Sequence, residues 1–471
     1  MKTRIFVFAV ALLAANGALC EPLRVGESSR RSLSLNLYQG NFAAVTDIRG
    51  ISPPKGEAAL EIEGVAQTLR GDTVIIEGEG VEVNSFVSTG ERLSLLRLLE
   101  ENLGREATIV FNEPGGLRRE RGLLLSTGEE TVWKVGERVL ALPSRSFGAS
   151  PVAWYEFDSV PEGFGVKPVL KADAAFGENA KELILSYQAD GLGWSGRYLL
   201  TLDENTLEGS LEGWAVIGNY SGIDMDSAKV RLVAGEVARE DTAAPMMAEA
   251  ADGRMVRASK AKTVQAVKQF EYQVFEMPGV ITLKRGETKQ EKFLGASGVK
   301  AEKVRRYEWR TYYLSGGVPE EKNVHPRVLL RIKNTSDNGL GMPLPAGVVR
   351  VYSPDAGKSR TLLGEDSTGN TQKDGLWELA VGSAFDISAE RKLLSTRQTD
   401  QWTSEGEFEI TVENAGEETE VEVAESFGGR FRVLQSTHQY NMRDADTVVF
   451  TLPLPKEGKA VLRFKVRLEQ R

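Results

Sequence analysis

The sequence predicts an all-β protein made of several antiparallel β-sandwich or barrel domains. Apolar and charged residues alternate along many short runs; over residues 60–63, for example, leucine and isoleucine alternate with two glutamates. This period of two is the pattern of a strand with one buried face and one solvated face. Turn residues such as Gly428-Gly429 divide the runs at short intervals, and 48 glycines supply the positive φ angles that tight hairpins require.

The N-terminus has the layout of a secretory signal peptide over residues 1–20. Lys2 and Arg4 precede an apolar run, which is shorter than the roughly twenty apolar residues that a membrane-spanning helix needs. We therefore expect cleavage after Cys20 and a periplasmic or secreted protein of a Gram-negative envelope. The alternative is a lipoprotein in which Cys20 is retained and acylated, but Leu19 stands where that processing prefers Gly or Ala.

Composition narrows the functional classes. The signal peptide carries two basic residues and no acidic ones, so cleavage lowers the net charge from -9 to -11. Because Lys and Arg are not clustered in this acidic chain, we expect no nucleic-acid partner. Without Cys20 the mature chain has no cysteine for a disulfide or for thiol catalysis. It also has no second long apolar run, so no transmembrane span is predicted.

A chain of 471 residues exceeds the usual size of one hydrophobic core, so several domains are expected. Pattern changes and turn-rich breaks predict a signal peptide (1–20), an N-terminal β segment (21–83), a helix plus small β-barrel (84–146), the first part of a β-sandwich (147–238), a mobile loop (239–262), the continued sandwich (263–395) and a C-terminal immunoglobulin-like sandwich (396–471).

One helix is predicted over residues 89–103. Ser88 and Glu91 have the spacing of a capping box, and Gly104 would end the helix. One face carries Leu96, Leu99 and Leu103. Short strand-like runs separated by glycine turns follow, which is typical of a small barrel. This order of elements resembles the Sm-like fold. The resemblance implies shape only, because many Sm-like proteins bind RNA and this acidic, exported chain is not expected to.

Residues 239–262 lack alternation and are rich in alanine, with three methionines. We interpret them as a mobile loop, since they offer no apolar face that could dock. The alternative is an exposed amphipathic helix, because alanine favours helices. The last 76 residues, from Thr396, alternate again. They end in a run with apolar residues on one face (Leu462, Phe464, Val466 and Leu468) and basic residues on the other (Arg463, Lys465 and Arg467).

Several stretches carry a family resemblance. They are LSYQADGLGWSGRYLLTL at 185–202, LEGWAVIGNYSGIDMDSAKVRLVAGEV at 211–237, LPAGVVRVY at 344–352, ELAVGSAFDISAER at 378–391 and the closing EGEFEITVENAGEETEVEVAES run. Together they resemble the bacterial family called domain of unknown function 4139, whose members are exported and relate loosely to proteins labelled mucoidy inhibitors. The resemblance implies a mostly β envelope protein without an assigned reaction, cofactor or catalytic residue.

Catalytic motifs are not found. His325 and His438 are the only histidines, which leaves almost no material for a histidine triad or a multi-histidine metal site. The G-x-S-x-G elbow of serine hydrolases is missing; the nearest segment, around Ser195, is interpreted as the entry to a strand. We therefore predict no catalytic residue, no metal and no cofactor.

Candidate ligand-binding residues lie between residues 194 and 226. Asp224 and Asp226 point the same way along a strand and could act as paired carboxylates or hold calcium, although solvation of a bend after Asn219 is the simpler interpretation. Trp194, Tyr198, Trp214 and Tyr220 could form an aromatic platform for sugar rings, although large aromatics in a sandwich are ordinarily core residues. The candidate set is Trp194, Tyr198, Trp214, Asn219, Asp224 and Asp226.

The leading functional hypothesis is a non-enzymatic binding or structural module of the cell envelope. Its partner would be an envelope protein or a surface polysaccharide, bound through sheet edges and loops. The alternative is a hydrolase that uses two carboxylates on an envelope glycan or peptide. That alternative requires two acids about 5 to 10 Å apart in a concave pocket.

Overall fold

A computed structural model describes residues 21–89, 95–113, 116–128, 130–143, 152–159, 168–235, 237, 239, 266–269, 271–314, 318–354 and 359–469. The predicted signal peptide and, apart from Arg239, the predicted mobile loop over 239–262 lie outside these residues. The described residues are nearly all in β strands, with one short α-helix, which confirms the predicted all-β class. Across the same residues, no helix has the length and apolar character needed to cross a membrane.

The elements are as follows in chain order. The first strands are β1 (Leu23–Val25), β2 (Arg30–Tyr38), β3 (Phe42–Gly50), β4 (Gly56–Glu63), β5 (Ile75–Glu77) and β6 (Val81–Thr89). Then come α1 (Leu95–Glu101), β7 (Glu106–Glu113), β8 (Gly116–Ser126), β9 (Glu130–Val135), β10 (Arg138–Pro143) and β11 (Val152–Glu156). These are followed by β12 (Val169–Phe176), β13 (Glu182–Asp190), β14 (Leu192–Leu202), β15 (Glu208–Asn219), β16 (Met225–Ala234), β17 (Ala266–Gln269), β18 (Tyr272–Glu276), β19 (Ile281–Leu283) and β20 (Glu287–Lys300).

The C-terminal elements complete the fold. They are β21 (Glu302–Thr311), β22 (Glu321–Val324), β23 (Arg327–Lys333), β24 (Gly347–Pro354), β25 (Arg360–Thr368), β26 (Leu376–Ser383), β27 (Ile387–Gln398), β28 (Thr403–Asn414), β29 (Thr419–Phe427), β30 (Arg430–Ser436), β31 (Tyr440–Met442), β32 (Thr447–Leu454) and β33 (Lys459–Glu469). Single turns of 3-10 helix lie at Glu27–Ser29, Gly71–Thr73 and Ser336–Asn338.

Three sheets contribute to the first and largest core, with strand orders β1-β4-β12-β6, then β17-β18-β16-β2-β3-β13-β5 with β19 beside β16, and β20-β15-β14-β24-β25. Two strands of a fourth sheet, β23 and β26, add Leu330 and Trp377 to the same core. Because β13 pairs with β3 and β16 pairs with β2, residues 21–83 share one core with the segment predicted as the first part of a sandwich. Alternation along each strand gives the core faces, but it does not show which distant strands will pair.

A small unit is inserted between β6 and β12, which pair directly with each other. Its sheet has the order β10-β9-β8-β7-β11 and its core contains Leu99 of α1. The structure therefore agrees with the prediction of a short helix that leads into a small β unit. Gly104, at φ +76°, follows the helix as expected, and its amide donates to Leu124 O at 2.8 Å.

The predicted details of this helix need correction. Ser88, predicted to cap it, lies in β6 opposite Leu170, while Glu91 lies outside the described residues. Of the three leucines predicted to share a buried face, only Leu99 is buried; Leu96 and Leu103 are each 52 % exposed. The described helix has seven residues, and its Leu99 is buried in the core of the unit.

The C-terminal core lies between a sheet of order β26-β23-β21-β29-β32-β31 and one of order β22-β27-β28-β33-β30. Phe450 of the first sheet and Phe464 of the second meet there with ring centroids 4.8 Å apart. The sequence placed the start of this sandwich at residue 396, which lies inside β27. The core in fact draws on Tyr307 of β21, because β21 runs parallel to β29, and local patterning does not reveal such a distant contact.

Candidate functional site

Two of the predicted ligand-binding aromatics are core residues. Trp194 is 3 % exposed and its indole N–H donates to Val233 O at 3.1 Å. Tyr198 is 2 % exposed, donates to Pro345 O at 2.7 Å, and meets the ring of Trp377 edge-on at 5.2 Å. Burial raises the pKa of the Tyr198 hydroxyl far above its ordinary value. Neither ring offers a face to a sugar.

Trp214 and Tyr220 lie near the surface of β15 and its following turn. Leu211 of β15 is buried, whereas Trp214 is half-buried on the opposite face of the strand. The ammonium of Lys292 lies 5.7 Å from the centre of the Trp214 ring. Tyr220 is 52 % exposed and its hydroxyl lies 3.0 Å from Thr288 Oγ1. The structure thus divides the predicted aromatic platform between core and surface.

Asn219 holds a turn together from a fully buried position. Its Nδ2 donates to Ile223 O and to Leu283 O, both at 2.9 Å, and its Oδ1 accepts from Ser221. Its side chain therefore has protein partners for both donors and for the acceptor. The same arrangement recurs at Asn334 and Asn414, where each buried amide donates to two backbone carbonyls. The geometry of Asn219 is that of a structural clamp.

Asp224 and Asp226 share one cation. Lys284 Nζ lies 3.2 Å from Asp224 and 2.7 Å from Asp226, and the amide of Arg285 donates to Asp224 at 2.9 Å. That amide and the Lys284 ammonium lower the pKa of Asp224. A general acid needs a raised pKa, so Asp224, whose pKa is lowered, is unsuited to that role in a carboxylate hydrolase. Across the described residues, no three His, Cys, Asp or Glu side chains converge as metal ligands do.

The C-terminal sandwich has an open side that sequence reasoning did not locate. β30 is the last strand of one sheet and β31 is the last strand of the other, and the described chain pairs no further strand with either. Three residues join them, so the two open edges lie side by side. The backbone groups of an edge strand that face outward lack strand partners and can accept another extended chain.

An open cleft of about 420 Å³ lies along this side, lined by residues 433–436 and 438–441. It begins where β30 bulges at Leu434, opposite β33. Ser436 Oγ donates to His438 O at 2.7 Å, and His438 Nδ1 lies 3.0 Å from Thr437 Oγ1, so the connection is held by its own side chains. His438 is half-buried and lines the cleft.

The outer face of the same sheet carries a ladder of charges. Glu405 on β28 lies 2.8 Å from Lys465 and 2.7 Å from Arg467 on β33, and Glu409 lies 2.6 Å from Arg463. Hydrogen bonds from the two cations lower the pKa of Glu405 to about 2. β28 therefore presents acids and its neighbour β33 presents bases, and the two strands compensate each other.

Exposed aromatic residues lie at one end of the sandwich. Tyr313 is 66 % exposed just after β21, and Trp402 is 59 % exposed in the turn between β27 and β28. Two adjacent glycines link the two positions. Gly428 packs on Tyr312, the residue before Tyr313. Gly429 contacts Glu469, which pairs with Thr403, the residue after Trp402. The sequence holds one signal for them: Trp402 stands among polar residues outside any alternating run, where a core role is unsupported.

A second cleft, of about 370 Å³, lies between the ends of β6 and β12, and Glu82 is its one carboxylate. The cleft beside β30 is lined by no acid. Neither therefore has the pair of carboxylates that the hydrolase alternative requires.

No protein-family model matches the chain, and no curated protein matches it in sequence. The resemblance to the domain of unknown function 4139 family therefore stays a prediction that rests on the residues quoted above. The open edge of β30, its cleft and the exposed aromatic end are the features that bear on function.

Proposed function

We propose that this protein is an exported envelope module that binds, without catalysis, an extended segment of a partner protein along β30. The observation that carries the proposal is the meeting of two open strand edges, β30 and β31, at one cleft. Strand addition takes affinity from main-chain hydrogen bonds and specificity from pockets for alternate side chains. The open edge supplies the first, and the cleft supplies the second.

The dimensions fit a short segment. β30 has seven residues, which at about 3.3 Å per residue makes an edge of about 23 Å. The strand is anchored from behind, because it pairs with β33 over most of its length and its Phe431 packs on the C-terminal core. An anchored edge keeps its hydrogen-bonding groups in position, which reduces the entropy that a partner must lose on binding.

Site-specific photo-crosslinking in envelopes of the native host tests this proposal. A photo-reactive amino acid replaces Gln435, which is exposed at the cleft. In a control chain it replaces Lys171, which is exposed on the first body, the set of strands that form the first core. We expect one discrete adduct at Gln435 and none at Lys171. Hydrogen exchange of the purified adduct should show slower exchange in the peptide that contains β30. An adduct without that protection, or equal adducts at both positions, contradicts strand addition.

A surface polymer is the second candidate partner, and the exposed aromatic end favours it. Tyr and Trp rings combine a large apolar face with a polar tip, which suits stacking on sugar rings. We expect Trp402→Ala to lose retardation in affinity electrophoresis through host surface polysaccharide. Tyr220→Ala is the matched control, because Tyr220 is similarly exposed on the first body. Equal retardation of wild type and both variants argues against a polymer site at this end.

A further inference from the structure

We infer that the segment bound along β30 is acidic, with carboxylates at alternate positions that meet Arg430 and Arg432. This inference rests on the strand addition proposed above. Both arginines are exposed on the edge strand and stand two residues apart, so they point to the same face of the sheet. An added strand places side chains directly opposite them on that face, within reach of an ion pair.

The charge order across the sheet supports this choice. The strand order is β28, β33, β30, and the outer faces of the first two carry compensating acids and bases. Arg432 lies opposite Arg467, which is engaged with Glu405 at 2.7 Å. Arg432 thus places a second base beside a basic position of β33, where the alternation would require an acid, while Arg430 stands opposite Glu469 without forming an ion pair.

Among the described residues neither edge arginine forms an ion pair, although Glu469 of β33 stands opposite Arg430. The ion pairs of this sheet involve Arg463, Lys465 and Arg467 on β33 but neither Arg430 nor Arg432. An acidic strand would continue the ladder one strand further, since opposite charges on facing strands stabilise a sheet and like charges destabilise it.

The same charges disfavour a second copy of this chain as the occupant. Two β30 strands pairing edge to edge would bring the arginines of both copies onto neighbouring strands of one sheet. Charged residues on an edge are a known means by which proteins prevent such self-pairing. The occupant is therefore a different chain, or another segment, that carries carboxylates where β30 carries arginines.

Peptides of controlled charge test the inference. The probe is acetylated Val-Glu-Val-Glu-Val-Thr, labelled with a fluorophore, and its counterparts replace both Glu residues by Gln or by Lys. With the mature full-length protein at low salt, we expect fluorescence anisotropy to show at least tenfold tighter binding of the acidic peptide than of the Gln peptide. The Lys peptide should bind more weakly still, because like charges at an interface are disfavoured.

Charge reversal on the protein supplies the matched variant. The double variant R430E/R432E should prefer the Lys peptide over the acidic one by a similar factor. The control R285E/K171E makes the same change in net charge on the first body and should keep the wild-type order. A preference that follows R285E/K171E equally would mean that overall charge decides binding, which overturns the inference.

Two further outcomes separate this inference from the proposed function. Equal affinity for the acidic, Gln and Lys peptides overturns the acidic preference while leaving strand addition intact. An acidic peptide N-methylated at alternate amides cannot pair through one edge; if it binds as well as the unmodified peptide, strand addition itself is wrong. Absence of binding by every peptide at millimolar concentration overturns both.

Discussion

Removal of one partner from a buried ion pair should destabilise the C-terminal sandwich more than any surface change. Arg391 on β27 and Glu425 on β29 join the two sheets, with Nε to Oε1 at 2.6 Å and Nη2 to Oε2 at 3.0 Å. Both side chains are almost fully buried, and Nη2 also donates to Thr311 at 2.7 Å. In Glu425→Leu the guanidinium keeps its desolvation penalty and loses its counter-charge.

The magnitude follows from that imbalance. Breaking a buried ion pair typically destabilises a protein by about 3–5 kcal/mol. This lowers the folding constant of the sandwich by about two to four powers of ten, since about 1.4 kcal/mol corresponds to tenfold. The double variant Arg391→Met, Glu425→Leu removes both charges together. It should lie within about 1 kcal/mol of wild type or above it, because paired desolvation penalties disappear with the pair.

Hydrogen exchange followed by mass spectrometry is the appropriate assay, because the chain has more than one core and exchange in individual peptides assigns the change to one of them. The free energy of opening is measured on peptides from β27 and β29, with peptides from β2 and β3 as the internal reference. The reasoning is refuted if Glu425→Leu changes opening by less than about 1 kcal/mol, or if the double variant is as unstable as the single one.

Three other changes have defined outcomes. The pKa of Glu405 is about 2, below its unfolded value. Its stabilising contribution is therefore present above about pH 4.5 and is lost as pH falls through about 2. Denaturant titrations should show the difference in unfolding free energy between wild type and Glu405→Gln vanishing over that range. Gly209→Ala should lower the melting temperature, since an added Cβ would lie 1.8 Å from Thr201 O, an overpacking of typically about 1–3 kcal/mol. Asn219→Ala leaves buried carbonyls without donors and should lose about 2–3 kcal/mol in chemical denaturation, whereas Tyr220→Ala beside it should lose less than about 1.

The alternation of apolar and polar residues predicted which face of many strands is buried. Alternation at residues 462–468 correctly placed the leucines and phenylalanine of β33 in the core and its basic residues on the surface. The signal worked because strand side chains alternate strictly between faces. The same signal could not give partners: the parallel pairs β2 with β16 and β21 with β29 join segments far apart in the chain. Domain boundaries drawn from local pattern therefore divided cores that the fold unites.

The candidate site was less accessible to sequence reasoning for the same reason. Trp194 and Tyr198 attracted attention by clustering in sequence, yet alternate positions of one strand face one core and both are buried. Arg430 and Arg432 are unremarkable in sequence, where Glu425 and other acids lie nearby. The position of Arg432 opposite another base, Arg467, becomes visible only when β33 is known to be the neighbouring strand and Arg467 is known to be engaged with Glu405.

The edge strands β25 and β20 differ from β30 in how their backbone and their charges are covered. β25 ends its sheet but is covered by β26, where Ala380 N donates to Asp366 at 2.7 Å. β20 ends the same sheet on the other side, and its Lys292 is compensated by Glu212 at 2.6 Å. On β30 neither arginine forms an ion pair among the described residues, and the cleft begins at the residue after Arg432. Protection against aggregation requires only that an edge be charged; a pocket next to those charges adds a place for a partner's side chain, and the combination favours selective capture over protection alone.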